Sequence, residues 1–338
     1  MEFIVLAIAA ALSAGGTLLG MKLGERFGLL QVPGGRRQHT RPVSRLGGLG
    51  LFVGFGLTGL GLYLFAPRPA DPNLHLPLLG TLLGTALAAL TGLADDRWEL
   101  PAGPQFAAHF AAALIAILCD VFIGEVTLPF FGRQSIPVLI AYPLTVFWVM
   151  GMINTVNWLD GLDGLAAGVG AIAAVFFALH SIFKLGQPEV ALYSLALAGA
   201  CLGFLAFNFY PARAFLGSIG AQTLGFALAS LSIIAPARVM TALLVLLIPI
   251  VDVAFLIVDR WRRGRLPWSG DRRHLHFRLS DRGISQRQIV LGYWALCVLY
   301  GLAALFIDSR ELKFAAFVVI AAVVLAGLIR LREAPPSA

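Results

Sequence analysis

Apolar residues run along this chain in long unbroken stretches, and the short segments between them hold most of the charge. Eleven such runs are read, at 3–23, 47–66, 75–94, 104–123, 136–153, 164–183, 189–209, 215–235, 238–258, 289–307 and 313–331. Most come close to the ~20 residues that a helix needs to cross a hydrocarbon core about 30 Å thick. Backbone N–H and C=O groups in lipid must be paired inside the protein, and runs without alternation achieve this as helices rather than as barrel strands. The pattern predicts an all-α polytopic transmembrane bundle of about eleven spans, organised as one integral-membrane domain over 1–338. The first run lacks a basic lead and exceeds a typical signal-peptide core, so it reads as a span. A short alternating stretch at 125–137 predicts a hairpin between the fourth and fifth runs.

Composition agrees with the pattern. The chain is 59% hydrophobic and 13% charged, with a mean hydropathy of +0.85, whereas soluble domains are about 45–50% apolar and about 25% charged. Disordered, disulfide-stapled and nucleic-acid-binding classes are thereby excluded, and no nucleic-acid partner is expected. Cys119, Cys201 and Cys297 all fall within apolar runs and read as small core residues. Alternate loops divide the basic residues 18 against 6. By the positive-inside rule the richer set is cytoplasmic, with the N-terminus outside and the C-terminus inside a cell inner membrane. That face collects the loops 24–46, 95–103, 154–163, 210–218 and 259–288, where a net charge of +7 can meet anionic lipid head groups or a phosphorylated ligand. Trp148, Trp158, Trp261 and Trp268 read as interfacial anchors.

In so apolar a chain each carboxylate beside a span is a candidate for function. The third run ends in Asp95-Asp96-Arg97-Trp98-Glu99, acids at the helix terminus least favourable to them. Adjacent aspartates in a poorly solvated place call for a cation, and Mg²⁺ commonly binds through one or two carboxylates together with substrate phosphates. The fifth run leads into Asn154-Thr155-Val156-Asn157-Trp158-Leu159-Asp160-Gly161-Leu162-Asp163-Gly164, where an amide or acid recurs every third residue. The Asp-Gly steps predict that the helix opens into a loop part-way. One such residue would serve as a cap; four argue for a ligand.

The loop 259–288 carries nine arginines, among them Arg272 and Arg278, which share one short stretch with His274 and His276. Arginine suits bidentate phosphate contact and imidazole donates to phosphate oxygens, while no Cys or Glu stands at a zinc-like spacing. A glycine-flanked basic segment from Gly34 through His39 and Arg45 to Gly50 opens the second run, and Asp252 lies within the ninth. An intramembrane acid also suits a transporter, but the charges cluster at one surface and no inverted repeat is visible. The assembly suits phosphoryl transfer between a soluble phosphorylated donor and a lipid, chemistry that needs mainly positioning and charge neutralisation.

These residues resemble the polyprenyl-phosphate N-acetylhexosamine-1-phosphate transferases, a family that includes the phospho-N-acetylmuramoyl-pentapeptide transferases. The likeness covers nearly the whole chain through His39 to Gly50, Asp95-Asp96, the N-x-x-N-x-x-D-G-x-D-G-L run, Phe215-Leu216-Gly217, Asp252 and His274-x-His276. The H-x-H loop is more similar to the branch using simple UDP-N-acetylhexosamines. The resemblance implies transfer of HexNAc-1-phosphate, in the first instance GlcNAc-1-phosphate, from a UDP-sugar to undecaprenyl phosphate. The products are undecaprenyl-diphospho-HexNAc and UMP, the first membrane step of a cell-envelope glycan, with Mg²⁺ or Mn²⁺ as cofactor. It implies catalytic roles for Asp95, Asp96, Asp160 and Asp163, and metal contacts for Asp96, Asp163 and Ser218. His39, Arg45, Asn154, Asn157, Asp252, Arg272, His274, His276 and Arg278 fall to substrate binding. Membrane lipids are further partners, and a homodimer is left open.

The chain departs from the family pattern at charged positions. Ser218 stands where the family carries a metal-binding aspartate, Gln105 where it commonly has lysine, and Phe277 where it has a third histidine. The resemblance implies that an aspartate restored at position 218 raises activity or metal affinity. The same departures keep open a second reading, a non-catalytic relative that holds prenyl phosphate or a nucleotide sugar.

Overall fold

The computed structural model describes residues 1–32, 42–67, 69–234, 237–266 and 273–333. The chain is a bundle of helices: α1 (Glu2–Phe27), α2 (Leu49–Phe65), α3 (His75–Trp98), α4 (Ala102–Leu118), α5 (Val138–Leu159), α6 (Leu165–His180), α7 (Pro188–Asn208), α8 (Gly217–Ile233), α9 (Ala237–Val245), α10 (Leu247–Arg262), α11 (Leu275–Ser280), α12 (Gln286–Phe306) and α13 (Arg310–Glu333). Two small antiparallel ribbons accompany them, β1 (Leu30–Gln31) with β2 (Val43–Ser44), and the expected hairpin of β3 (Glu125–Leu128) with β4 (Gly132–Ser135).

Each apolar run coincides with helix, but the helices are not equal. Among the described residues, seven helical segments are long and apolar enough to cross a membrane; α9 and α10 make an eighth only as a pair, bent by 79°. The bend follows from Pro249 in the first turn of α10, which has no N–H to give Val245 and whose ring crowds that carbonyl. The remaining apolar helices, α2, α4 and α8, have 17 residues each.

Helix α8 forms the centre, with every residue from Ile219 to Ile233 buried. It packs chiefly against α3 and α5, while α1, α2, α6 and α7 close the other side of the bundle. Close approach rests on small residues, as is common between membrane helices: Gly92 of α3 lies against the backbone of Ser218 and Ile219, and Gly225 of α8 against that of Ile153. Helix α13 is mostly exposed and packs on α10. The C-terminal ends of α3, α5 and α7 meet the N-terminal ends of α2 and α8 at one end of the bundle, where the polar motifs gather. The β3–β4 hairpin and the Lys184–Asp308 ion pair mark the other end.

Candidate active site

Asp96 is buried at the end of α3, and both its oxygens accept backbone N–H groups of the first turn of α8, from Ser218 at 2.9 Å and Ile219 at 3.0 Å. The N-cap residue of α8, Leu216, makes no side-chain cap. Asp96 supplies one from another helix, and the positive end of α8 in turn compensates the buried carboxylate. Half-buried Asp95 faces the same turn. Its Oδ2 accepts the Ser218 hydroxyl at 2.5 Å and its Oδ1 accepts the Gln105 amide at 2.8 Å. Arg45 pairs nearby with Glu99 at 3.1 Å.

The segment 209–217 ties this corner to the Asn-Asp run. The main chain of Phe215 donates to Ser44, and Ala214 bridges the same residue. Gly217 takes φ +62°, and a Cβ there would strike the Arg45 carbonyl and the Asp96 carboxylate, so glycine is required. Asp163 accepts the Ala212 N–H at 3.0 Å. Buried Asn208 accepts from the Gly164 N–H and donates to the Ala214 carbonyl, each at 2.9 Å. Helix α5 ends at Leu159, and the chain does open into a turn over 160–164, with Asp160 and Asp163 half-buried on it. Asn157 is half-buried one turn earlier, whereas Asn154 spends its amide on the Met150 carbonyl of its own helix.

On its other side the turn meets the basic loop. Gly161 lies against the rings of His276 and Phe277, with no room for a side chain. His276 is stacked on His274 at 5.6 Å between centroids. Asp252, buried on α10, binds His274 Nδ1 at 2.8 Å and caps α11 through the Leu275 N–H at 3.0 Å. Thus Asp252, taken from sequence as a lone intramembrane acid, has a partner in the H-x-H loop. Arg260 lies over the Trp158 ring at 5.3 Å, and Asp259 gathers Arg263 and Arg273 at 3.0 and 2.9 Å. Arg278 turns away from this wall. Its guanidinium donates to the carbonyls of Arg273 and Leu328. His39 and Arg272, with the anchor Trp268, lie outside the described residues.

A groove of about 1010 Å³ adjoins the site, bounded by α4, α5 and α10. It extends along α5 from Tyr142 to Trp158, about 24 Å at 1.5 Å per residue. Its lining is almost entirely apolar, with Asn154 and Trp158 at the end nearest the acids.

Sequence reasoning missed Asn208, whose signal was an amide closing an otherwise apolar run. It also gave Trp158 only an anchoring role, and gave no partner to Gln105 or Ser218. No cluster of three or more His, Cys, Asp or Glu side chains placed to hold a metal ion occurs among the described residues.

Residues 78–236 match the family model described as glycosyl transferase family 4. The chain is 34% identical to the decaprenyl-phosphate N-acetylglucosaminephosphotransferase of Mycobacterium tuberculosis, over 91% of this chain and 83% of that protein. The chain belongs to this family. A phospho-N-acetylmuramoyl-pentapeptide-transferase of Moorella thermoacetica is 31% identical over 90% of this chain and 97% of its own length. The probable undecaprenyl-phosphate N-acetylglucosaminyl 1-phosphate transferase of Bacillus subtilis is 27% identical over 87% and 81%. As a glycosyl transferase of family 4, the chain is a multi-pass membrane enzyme of the sugar-phosphate transferase class.

Proposed function

We propose that the chain transfers GlcNAc-1-phosphate from UDP-GlcNAc to undecaprenyl phosphate at the cytoplasmic face of the inner membrane, releasing UMP. The observation that carries this reading is the apolar groove that ends at Asn154 and Trp158, beside a corner built of acids and a wall built of arginines and histidines. A prenyl chain fits the groove by its chemistry, which leaves its phosphate at the acids.

The acceptor is a phosphate monoester with a second pKa near 6, so it is largely dianionic at neutral pH and nucleophilic as it stands. One of its oxygens forms a bond to the β-phosphorus of the donor, and the bond from that phosphorus to the bridging oxygen breaks. The electron pair leaves with UMP. Asp95 orients the acceptor phosphate or takes its last proton, while His274, held by Asp252, and His276, stacked on it, hydrogen-bond the diphosphate. Asp160, on the turn after α5, and Asn157, in the last turn of α5, face the nucleotide sugar.

Asp96 and Asp163 offer hard oxygen donors, which suits Mg²⁺ or Mn²⁺. Mg²⁺ commonly takes one or two protein carboxylates and completes its shell with phosphate oxygens and water, so a site without a three-acid cluster suits a metal bound together with the diphosphate. Bound there, the ion would screen the charge between the two phosphates.

The test is UMP release by purified protein in detergent, given undecaprenyl phosphate and a panel of UDP-N-acetylhexosamines, with Mg²⁺, Mn²⁺ or EDTA. Release requiring lipid and metal, and lost in Asp95→Asn and Asp163→Asn, is expected. Binding of UDP-sugar without release, in folded protein and beside an active relative, would make the chain a binding relative instead.

A further inference from the structure

Ser218 and Gln105 are the two positions at which the corner carries neutral side chains against an acid, and both meet the same carboxylate. Asp95 Oδ2 is held by the Ser218 hydroxyl at 2.5 Å and Oδ1 by Gln105 Nε2 at 2.8 Å. The first distance lies in the short range of an O–H donor on a charged acceptor. We propose that Ser218 and Gln105 form an uncharged clamp whose function is to position Asp95 for phosphoryl transfer, a proposal that rests on the role given to Asp95 above.

Three features separate the clamp from incidental polar contact. First, Gln105 has no rotational choice: its Nε2 also donates to the Leu100 carbonyl at 2.8 Å, so both amide protons have acceptors and the nitrogen cannot exchange places with the oxygen. Gln105 therefore ties Asp95 to the left-handed turn at Glu99 through which α3 passes into α4. Second, Ser218 serves both aspartates at once, its N–H on Asp96 and its hydroxyl on Asp95. The two acids are thereby fixed relative to each other and to the start of α8, 123 residues away in sequence. Third, the clamp adds no formal charge. Hydrogen bonds orient the anion without forming an ion pair with it, and the remaining lone pairs of each oxygen stay available to what enters the site.

Ser218 and Gln105 are thus positioning residues, and their effect must pass through Asp95. The test is a kinetic series on the full chain in detergent: Ser218→Ala, Gln105→Leu, the double variant and Ser218→Thr, with Asp95→Asn as reference. Each single loss is expected to lower kcat about tenfold, the usual scale for a partner that orients a reacting group. KM for the UDP-sugar stays within about twofold, because the clamp touches only the acid that meets the acceptor phosphate. The double variant falls by less than the product of the singles, since both act on one carboxylate. Ser218→Thr, which keeps the hydroxyl, restores the rate and guards against a folding artefact. Unchanged kcat in both single variants, with Asp95→Asn inactive, would overturn the clamp and leave the proposed reaction standing. Full activity in Asp95→Asn would overturn the role of Asp95 and the clamp with it.

Discussion

The guanidinium of Arg278 donates to the main-chain carbonyl of Leu328, 50 residues further on, at 3.2 Å. Arg282 does the same to Leu331 at 2.8 Å, which lies in the final turn of α13, where carbonyls have no helical partner. Between them the two arginines fasten the loop that carries His274 and His276 to the end of the last helix.

Arg278→Ala should therefore behave as a loosened loop. It removes the bond from a charged donor that ties the loop to α13, a loss of about 1.5–3 kcal/mol. The expected outcome is a lower melting temperature in detergent and a several-fold higher KM for the UDP-sugar, with KM for the prenyl phosphate unchanged. Loss of all turnover at an unaltered melting temperature would return Arg278 to the substrate-binding set that its charge suggests.

Ser218→Asp is expected to lower activity, the reverse of what the family resemblance alone implies. The hydroxyl oxygen lies 2.5 Å from the Asp95 carboxylate, so a carboxylate in its place sets two anions against each other with Asp96 adjacent. Like charges this close disfavour joint ionisation, and a loss of about 10–100-fold in kcat is expected for misplacing such a group. Adding Gln105→Lys brings an ammonium to the same carboxylate and should recover most of the loss. Steady-state rates of the two variants at fixed Mg²⁺ check the argument, and a double variant as poor as Ser218→Asp would refute it.

The sequence showed the all-helical membrane architecture because charge is so scarce that every interruption of an apolar run stands out. For the same reason Asp95, Asp96, Asp163, Asp252 and the two histidines were identifiable one by one. Their partners were not. Ser218 reaches Asp95 only because α3 and α8 pack through Gly92, and Asp252 reaches His274 only because α10 is turned by Pro249. Neither spacing nor hydropathy carries that information. The groove was invisible for a different reason: Phe106, Val146 and Ile257 read like any residues that face lipid. Arg278 adds what a positive charge in a basic loop does not show, its bonds to the carbonyls of Arg273 and Leu328.

Asp252→Asn tests the link between α10 and the H-x-H loop. The aspartate accepts from His274 Nδ1 and from the Leu275 N–H at the same time. An asparagine has one accepting oxygen, so with that oxygen on the Leu275 N–H its amide donates toward His274 Nδ1 and drives the imidazole out of the tautomer in which Nδ1 carries the proton. The cost is about 2 kcal/mol, or about thirtyfold in kcat/KM for the UDP-sugar. His274→Ala should be similarly impaired, and the double variant little worse than either single, because the acid acts through the imidazole. Additive losses would mean that Asp252 has a separate role.

Gly151 offers the most direct test of the groove. It lies on α5 in the groove lining, and a Cβ built there meets no atom within 4 Å. Gly151→Phe should therefore fill part of the groove without disturbing the helix, and phenylalanine costs the helix less than the glycine it replaces. The ring would displace about three methylenes of a bound prenyl chain, each worth about 0.8 kcal/mol when buried. KM for undecaprenyl phosphate should then rise by about thirtyfold or more. A prenyl phosphate too short to reach Gly151 from the acids should be used as well as by the unaltered protein, and KM for the UDP-sugar should not change. Equal use of long and short acceptors by the variant and the parent chain would show that the prenyl chain lies elsewhere.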